Sequence, residues 1–262
     1  MIINKKKFNG KICFFDIETS YNKIAAFQIG YNLSILPQQI LEERKIITIS
    51  WMFEGQKKAS FMQWDRINGV GDDTRMIEEF IYVLKAADVA VAQNGDRFDI
   101  KHLKTRALLL GLEPLTNIAT IDTLKLNRAN FAFNSNKLDY VAKVLGGKGK
   151  DKMELQDWID IVEHNDEKKL QKMIKYNQRD VIELRDIFWK ILPYCEKLPV
   201  PLAKLTKIGR ESHGEVCPMC ASVMLESKGY RYLVRNVYRR FVCKDCGHNF
   251  RSQKPVKVGD IK

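Results

Sequence analysis

The sequence predicts an α/β protein, a mixed β-sheet flanked by helices, with a small four-cysteine module appended. Three observations carry that expectation. Strand-like runs come first as a meander and then alternate with helix-like runs, an order that suits a mixed sheet better than an all-parallel one. The last helical pattern is long and amphipathic, running from about Asp166 to Leu192 and stopping before Pro193. Beyond it, four of the six cysteines fall as two Cys-x-x-Cys pairs in a short, core-poor segment.

The first element is the run Ile12, Cys13, Phe14 and Phe15, a buried strand with Asp16 and Glu18 at its end. Positions two apart on a strand share a face, so the two carboxylates stand side by side. In an apolar setting that arrangement needs a neutralising partner. RKIITISWMFEG and KASFMQW alternate apolar residues and turn at Glu54–Gly55, as a hairpin does. A helix follows, with Asp72 or Asp73 as N-cap and Met76, Ile77, Phe80, Ile81 and Leu84 at helical spacing. VAVAQNG reads as a fully buried strand and DIKHLKTRALLLGL as a helix ending near Gly111. ATIDTLKL reads as a further strand, NSNKLDYVAKVLGG as a capped helix stopped by glycines, and His164 falls in a polar loop. Residues 199–212, with two prolines and little periodicity, read as a linker. The chain thus divides into a main domain over 1–198, the linker, a cysteine module over 213–254 and a tail over 255–262.

At 262 residues the chain suits one large domain or a medium one with an appendage. No apolar run reaches the ~18 residues of a membrane span, and no apolar signal core follows the lysines of MIINKKKFNG. A cytoplasmic protein without a membrane partner is expected. The net charge of +12 is unevenly spread. Residues 1–198 hold 31 Lys and Arg against 27 Asp and Glu, whereas residues 199–262 hold 13 against 5. Such a basic segment suggests a polyanionic partner, nucleic acid in the simplest case; a solvated basic surface is the alternative.

Acids recur where strand and helix signals meet. AQNGDRFDIKHL leaves a strand, turns at Asn94–Gly95 and starts a helix at Asp99. In KYNQRDVIEL, Tyr176 and Asp180 are four apart and so stack on one helix face, beside the stripe Met173, Leu184, Ile187. Taken singly, each acid has another reading: Asp99 as an N-cap, Asp180 as a surface residue paired with Arg179 or Lys175, Asp122 as a strand-end turn residue.

Together these segments resemble a known family. Asp16-x-Glu18, Asn94 through Phe98–Asp99, and Tyr176-x-x-x-Asp180 are similar in order and spacing to the three motifs of DnaQ-like 3′–5′ exonucleases. These are the DEDD enzymes of the RNase H-like superfamily. The resemblance covers roughly residues 10–192, and the stretch from IDTLKL to VLGG looks further like the branch of YprB-type domains and phage exonucleases. A tyrosine stands four residues before the last aspartate, and Lys175 occupies the place where the other branch has histidine, so the chain resembles the tyrosine (DEDDy) branch. Neither His102 nor His164 is placed to substitute. The resemblance implies an RNase H-like sheet and a catalytic set of Asp16, Glu18, Asp99, Tyr176 and Asp180. It implies that the four carboxylates hold two Mg²⁺ or Mn²⁺ ions, Asp16 bridging both, that Tyr176 hydrogen-bonds the attacking water, and that Asn94 meets the nucleic acid. Phosphodiester hydrolysis needs an activated water, charge relief and help for the leaving oxygen, which two hard cations on carboxylates supply.

Cys217-Pro-Met-Cys220 and Cys243-Lys-Asp-Cys246 form a zinc-ribbon pattern, four thiolates for one structural Zn²⁺. Redox or metal-free pairs are the alternative. Gly247 permits a tight knuckle after the second pair, whereas Ala221 takes the glycine's place after the first. Between the pairs, YRYLVRNVYRRF is expected to set Arg231, Arg235 and Arg239 on one face of a hairpin and Tyr230, Tyr232 and Tyr238 on the other. With Arg240, these are the candidate nucleic-acid contacts, cations for phosphates and aromatics for bases; otherwise the tyrosines are the ribbon's own small core. His248 is expected to be a bystander. The resulting expectation is a metal-dependent 3′–5′ exonuclease, single-stranded DNA the favoured substrate, with a basic zinc ribbon. RNA 3′-end trimming, structure-selective internal cutting and a non-catalytic nucleic-acid adaptor are the rivals, since no residue distinguishes ribose from deoxyribose. Protein partners are not legible.

Overall fold

Strand β1 (Ile12–Thr19) is apolar where it crosses the interior and polar where it leaves it, its first four residues being fully buried. The computed structural model describes residues 10–28, 30, 33–147, 153–195, 197–200, 202 and 214–256, and β1 lies at the centre of its main sheet. β4 (Ile46–Phe53) pairs with β1 antiparallel, and β5 (Ser60–Gln63) pairs with β4 on the outside. On the other flank β8 (Val89–Ala92) and β9 (Thr120–Asp122) run parallel to β1. The order β5-β4-β1-β8-β9 is the mixed sheet that the sequence predicts. Two short ribbons accompany it: β2 (Lys23–Ile24) with β3 (Ile40–Glu42), and β6 (Asp65–Ile67) with β7 (Val70–Asp72).

Alternation along β1 feeds two cores, because successive side chains point to opposite faces. Cys13, Phe15 and Ile17 join one core with α1 (Thr74–Lys85), α2 (Asp99–Leu109) and α5 (Leu155–His164). Ile12 and Phe14 join the other with α3 (Thr123–Asn130) and α4 (Leu138–Val144). α1 buries Met76, Ile77, Phe80, Ile81 and Leu84, the five positions read from its spacing. Each such side chain contributes about 1.5–3 kcal/mol. The long helix α6 (Glu167–Ile191) serves both layers. Its Leu170, Met173 and Ile174 lie in the first core, and its Val181, Leu184, Ile187 and Phe188 in the second. The changeover falls on residues 177–180.

The cap of α1 splits the work that the sequence assigned to either aspartate. Asp72 Oδ1 accepts from the backbone N–H and hydroxyl of Thr74. Asp73, fully buried, instead accepts from Arg106 of α2 and from the Ile46 N–H of β4. That buried ion pair fixes the start of α1 against α2 and β4, and so the seat of α2 against the sheet. Other sequence expectations need correction. ATIDTLKL is a three-residue strand followed by α3, because Asp122 ends the strand and caps the helix by accepting from Leu124 N–H and Lys125 N–H. His164 ends α5 rather than lying in a loop, and Asn165 closes that helix in the left-handed conformation, φ 56°.

The cysteine module is a three-stranded sheet, β10 (Leu225–Tyr232), β11 (Val237–Cys243) and β12 (Asn249–Arg251). Of the expected linker, residues 201 and 203–212 lie outside the described residues, as do residues 257–262 of the tail and 1–9 at the start. Within that linker Leu202 is fully buried and Val200 packs on the second core, as does Leu198 just before it, whereas Pro199 is exposed. That core continues through Cys195 into Met219 and the four clustered cysteines, so main sheet and ribbon share one apolar interior. His248 stacks on Phe250 and sits 3.5 Å from the Pro193 carbonyl, a contact between the two parts.

Candidate active site and metal centre

β1 turns its acids toward α2 and α6 at the end of the central strand. Asp16 and Glu18 follow Ile12 and Phe14 on the face of the second core. Two hydrogen bonds tie the other segments to this point. Ile17 N–H, between the two acids, donates to Asp99 Oδ1 at 3.2 Å. Asn177 Nδ2, one residue beyond Tyr176, donates to Asp16 Oδ2 at 2.7 Å. All three motif segments therefore meet around Asp16. Asp99 and Asp180 are buried, Glu18 and Tyr176 half-buried. Asp180 is not the exposed surface residue of the alternative reading. Burial pushes the Asp99 carboxyl up to about 7, against two lowering backbone hydrogen bonds and with a further push from the Asp122 charge.

The turn that delivers Asp99 is held from outside. Asp122 Oδ1 accepts from Asn94 N–H at 2.9 Å, and Asn94 adopts φ 61°. Gly95 is required there: a Cβ would lie 2.4 Å from the Ala92 Cβ. Asn94 is half-buried and its carbonyl accepts from Arg97 and Phe98, so its backbone shapes the turn. His102 packs on Phe98 and His164 is exposed on α5.

The donor types fit hard divalent cations, since carboxylates held partly out of water, as Asp16, Glu18, Asp99 and Asp180 are, require positive charge. Two buried polar atoms beside Asp16 point the same way. Ser50 Oγ, on the residue paired with Asp16 across β4, has no hydrogen-bond partner among the described residues, nor does Asn177 Oδ1. The carboxylate oxygens do not form a single cluster as tight as the thiols described below. Along α6, Lys168, Lys172 and Lys175 line a groove of about 380 Å³ that includes Tyr176 and Arg179. The sequence shows that cationic row at helical spacing, whereas nothing in it singles out Asn177.

The four thiols of Cys217, Cys220, Cys243 and Cys246 are buried and lie within 4.8 Å of one another. Cys217–Cys246 and Cys220–Cys243 sulfurs are each 3.6 Å apart. A tetrahedral zinc with Zn–S of about 2.3 Å needs edges of about 3.8 Å, so the group could hold that ion. Hydrogen bonding from Cys217 draws the Cys220 thiol far down, and the same contact drives Cys217 up. Both knuckles have the same form: Ala221 N–H reaches Cys217 O and Gly247 N–H reaches Cys243 O. Ala221 takes φ 57° where Gly247 takes 73°, so the alanine accepts the strained conformation rather than changing the knuckle. Cys13 and Cys195 are the buried thiols expected, and burial pushes them up to about 12 and 11.

The ribbon's faces differ from the alternation read in the sequence. Tyr230 pairs with Arg239, Arg231 with Tyr238, and Tyr232 with Val237. Residues directly opposite share a face, so arginines and tyrosines are mixed on both sides. Arg235 lies in the turn, and Arg231, Arg239 and Arg240 are exposed on the strands. Tyr232 is 67% exposed, so it is no core residue of the ribbon.

The fold and site define an α/β protein whose central strand ends in two acids, Asp16 and Glu18, met there by α2 and α6, with a four-thiol module docked on the same core. The chain belongs to the RNase H superfamily, whose family model matches residues 39–191, more than half of it. That match begins beyond β1, so the placement of Asp16 and Glu18 comes from the sheet itself. The chain is 46% identical over 55 residues to DNA polymerase III PolC-type of Ureaplasma parvum serovar 3, covering 21% of this chain and 4% of that protein. It is similar in fold to the family B DNA polymerase of the archaeon Pyrobaculum calidifontis, with TM-score 0.54 and 18% identity over 88% of this chain and 32% of that one. This chain therefore spans only a small part of either polymerase. No helix among the described residues is long and apolar enough to cross a membrane.

Proposed function

We propose that the chain is a metal-dependent 3′–5′ exonuclease of the tyrosine branch, acting in the cytoplasm on single-stranded DNA, with a ribbon held by one structural Zn²⁺. The observation that carries the reading is the meeting of three segments at Asp16, through Ile17 N–H on Asp99 and Asn177 on Asp16. Asp16, Glu18, Asp99 and Asp180 would hold two Mg²⁺ or Mn²⁺ ions. When bound, the cations activate a water and relieve charge on the phosphate. The chain's own residues do the rest. Asn177 and Ile17 N–H keep Asp16 and Asp99 from rotating away. The Tyr176 hydroxyl orients the attacking water for the terminal phosphorus. The P–O3′ bond breaks, a 5′-nucleotide leaves, and the shortened strand keeps a 3′-hydroxyl. The row Lys168, Lys172, Lys175 beside Tyr176 supports an anionic strand approaching along α6. The ribbon's exposed arginines would hold the strand beyond the centre.

The test is polarity. Single strands of DNA and RNA, labelled at either end, are incubated with Mg²⁺ or Mn²⁺. A 3′ label should be released at once as mononucleotide, while a 5′-labelled strand shortens as a ladder. Early internal fragments from both labels would instead show an endonuclease, and preference for RNA would change the substrate assigned.

A further inference from the structure

We propose that the groove between the ribbon sheet and the segment after α6 is a binding site for single-stranded nucleic acid, distinct from the carboxylate centre. The groove, about 500 Å³, is walled by Lys197, Arg231, Arg240 and Arg251, with Tyr230 and Phe250 among its aromatic residues. The identity of the strand rests on the nuclease reading; the site itself rests on three features of the ribbon.

The first is uncompensated charge. No carboxylate lines the groove, and among the described residues none of its four cations has a salt-bridge partner; the nearby ribbon pair is Lys228 with Glu226. The second is register. Arg240 and Arg251 stand directly opposite each other on β11 and β12. Like charges so placed destabilise a sheet, and an anion bridging them removes that cost. The third is the way Arg251 is held. Its guanidinium lies 3.9 Å over the Tyr238 ring. A guanidinium stacked on its face keeps its in-plane donors for phosphate oxygens.

Arg231, Tyr238, Arg240 and Arg251 share one face through the pairings Arg231–Tyr238 and Arg240–Arg251. A single strand offers successive phosphates to such a face. Tyr230 and Phe250 line the same groove although the register sets them on the other face of the sheet, and unpaired bases are what such aromatics take. A duplex, its bases turned inward, offers the phosphates alone. Lys197 follows α6, so a strand in this groove touches both the ribbon and the end of the main domain. Tyr232, Arg235, Tyr238 and Arg239, expected to contact nucleic acid, do not line the groove.

The experiment measures binding without hydrolysis. Full-length, zinc-loaded protein carrying Asp16→Asn is titrated, with no added divalent cation, against fluorescein-labelled oligothymidylate and oligouridylate of about 20 nucleotides. The pairs Arg240→Glu/Arg251→Glu and Arg240→Gln/Arg251→Gln are compared with Lys228→Glu, a charge change outside the groove. One zinc per chain in each variant shows that the ribbon is folded. Both groove pairs should weaken binding by about tenfold or more at low salt and flatten the log–log salt slope by about 1.4, or 0.7 for each of two phosphates lost. Lys228→Glu should change the slope by less. Zinc-loaded groove variants that bind both oligonucleotides with parental affinity and slope would overturn the proposal, and point to an acidic protein surface as the occupant. Equal competition by inorganic tripolyphosphate, phosphate for phosphate, would overturn the part given to Tyr230 and Phe250. Hydrolysis plays no part in this measurement. Strand binding through the groove by a protein that cuts nothing would sink the exonuclease reading and leave this site standing, and the converse result would do the reverse.

Discussion

Replacing Asn177 by leucine tests the least expected feature of the centre. Asn177 is fully buried on α6, gives its amide to Asp16 Oδ2 at 2.7 Å, and has an Oδ1 without a partner among the described residues. A hydrogen bond to a charged group contributes about 1.5–3 kcal/mol. If all of it is spent on holding Asp16 in its working rotamer, its loss lowers the rate by about 10- to 150-fold, at 1.36 kcal/mol per decade. Stability should change little, because leucine also removes the orphaned Oδ1 and adds apolar contact between the two cores. The assay is steady-state hydrolysis of a 3′-labelled single strand across a Mg²⁺ titration, beside thermal unfolding. The expected result is a lower kcat, a raised half-activating Mg²⁺ concentration and an unchanged midpoint of unfolding. Parental kcat and Mg²⁺ dependence in a folded Asn177→Leu protein would refute a positioning role.

Three further outcomes follow from single contacts. Tyr176→Phe should slow hydrolysis by about ten- to a thousandfold with the same half-activating Mg²⁺; a steep rise in that concentration would place the hydroxyl among the metal ligands. Gly95→Ala forces a Cβ to within 2.4 Å of the Ala92 Cβ, so urea unfolding should show a loss of about 1–3 kcal/mol together with reduced activity, as the Asn94–Asp99 turn shifts. Asp157 is held well below the usual carboxylate range, first by the hydrogen bond from Lys169 and then by that from Lys172. A depressed folded value means stability present above the unfolded carboxylate pKa of about 3.9 and lost as pH falls through the folded one. Asp157→Asn should therefore cost about 1–3 kcal/mol at pH 7, and the gap between variant and parent in urea midpoint should narrow below about pH 4; a gap constant to pH 3 would contradict the ion pairs.

The fold was legible where one period governed one element. The buried set of α1 could be read from its spacing, and the mixed sheet from the order of elements. Local chemistry was missed where elements were short. Asn68–Gly69 is a two-residue hairpin signal, and both residues take positive φ between β6 and β7, yet the three-residue strands gave no period to notice. α5 shows Leu155, Trp158, Ile161 and Val162 at helical spacing behind a Glu154–Asp157 capping box, so its signal was present. The ribbon's faces could not be read from alternation alone. The turn pairs Tyr232 with Val237, so even positions of β10 face odd positions of β11, and a bulge between Ser227 and Tyr230 shifts the remainder. At the candidate site, residue types and order pointed to Asp16, Glu18, Asp99, Tyr176 and Asp180. The supports, Asn177 on Asp16 and Asp122 on Asn94, depend on packing between elements distant in sequence. The same holds for the shared core of sheet and ribbon, which no linker composition announces.

The proposed hydrolysis depends on cations held jointly by acids from β1, α2 and α6. The decisive quantity is the rate at which Asp16→Asn and Asp180→Asn release nucleotide from a 3′-labelled single strand at saturating Mn²⁺. Each variant removes one negative charge from the centre while keeping the shape of the side chain. Both variants should lose roughly a thousandfold or more in rate, with the parental unfolding midpoint retained. Near-parental turnover in both folded variants would contradict that dependence.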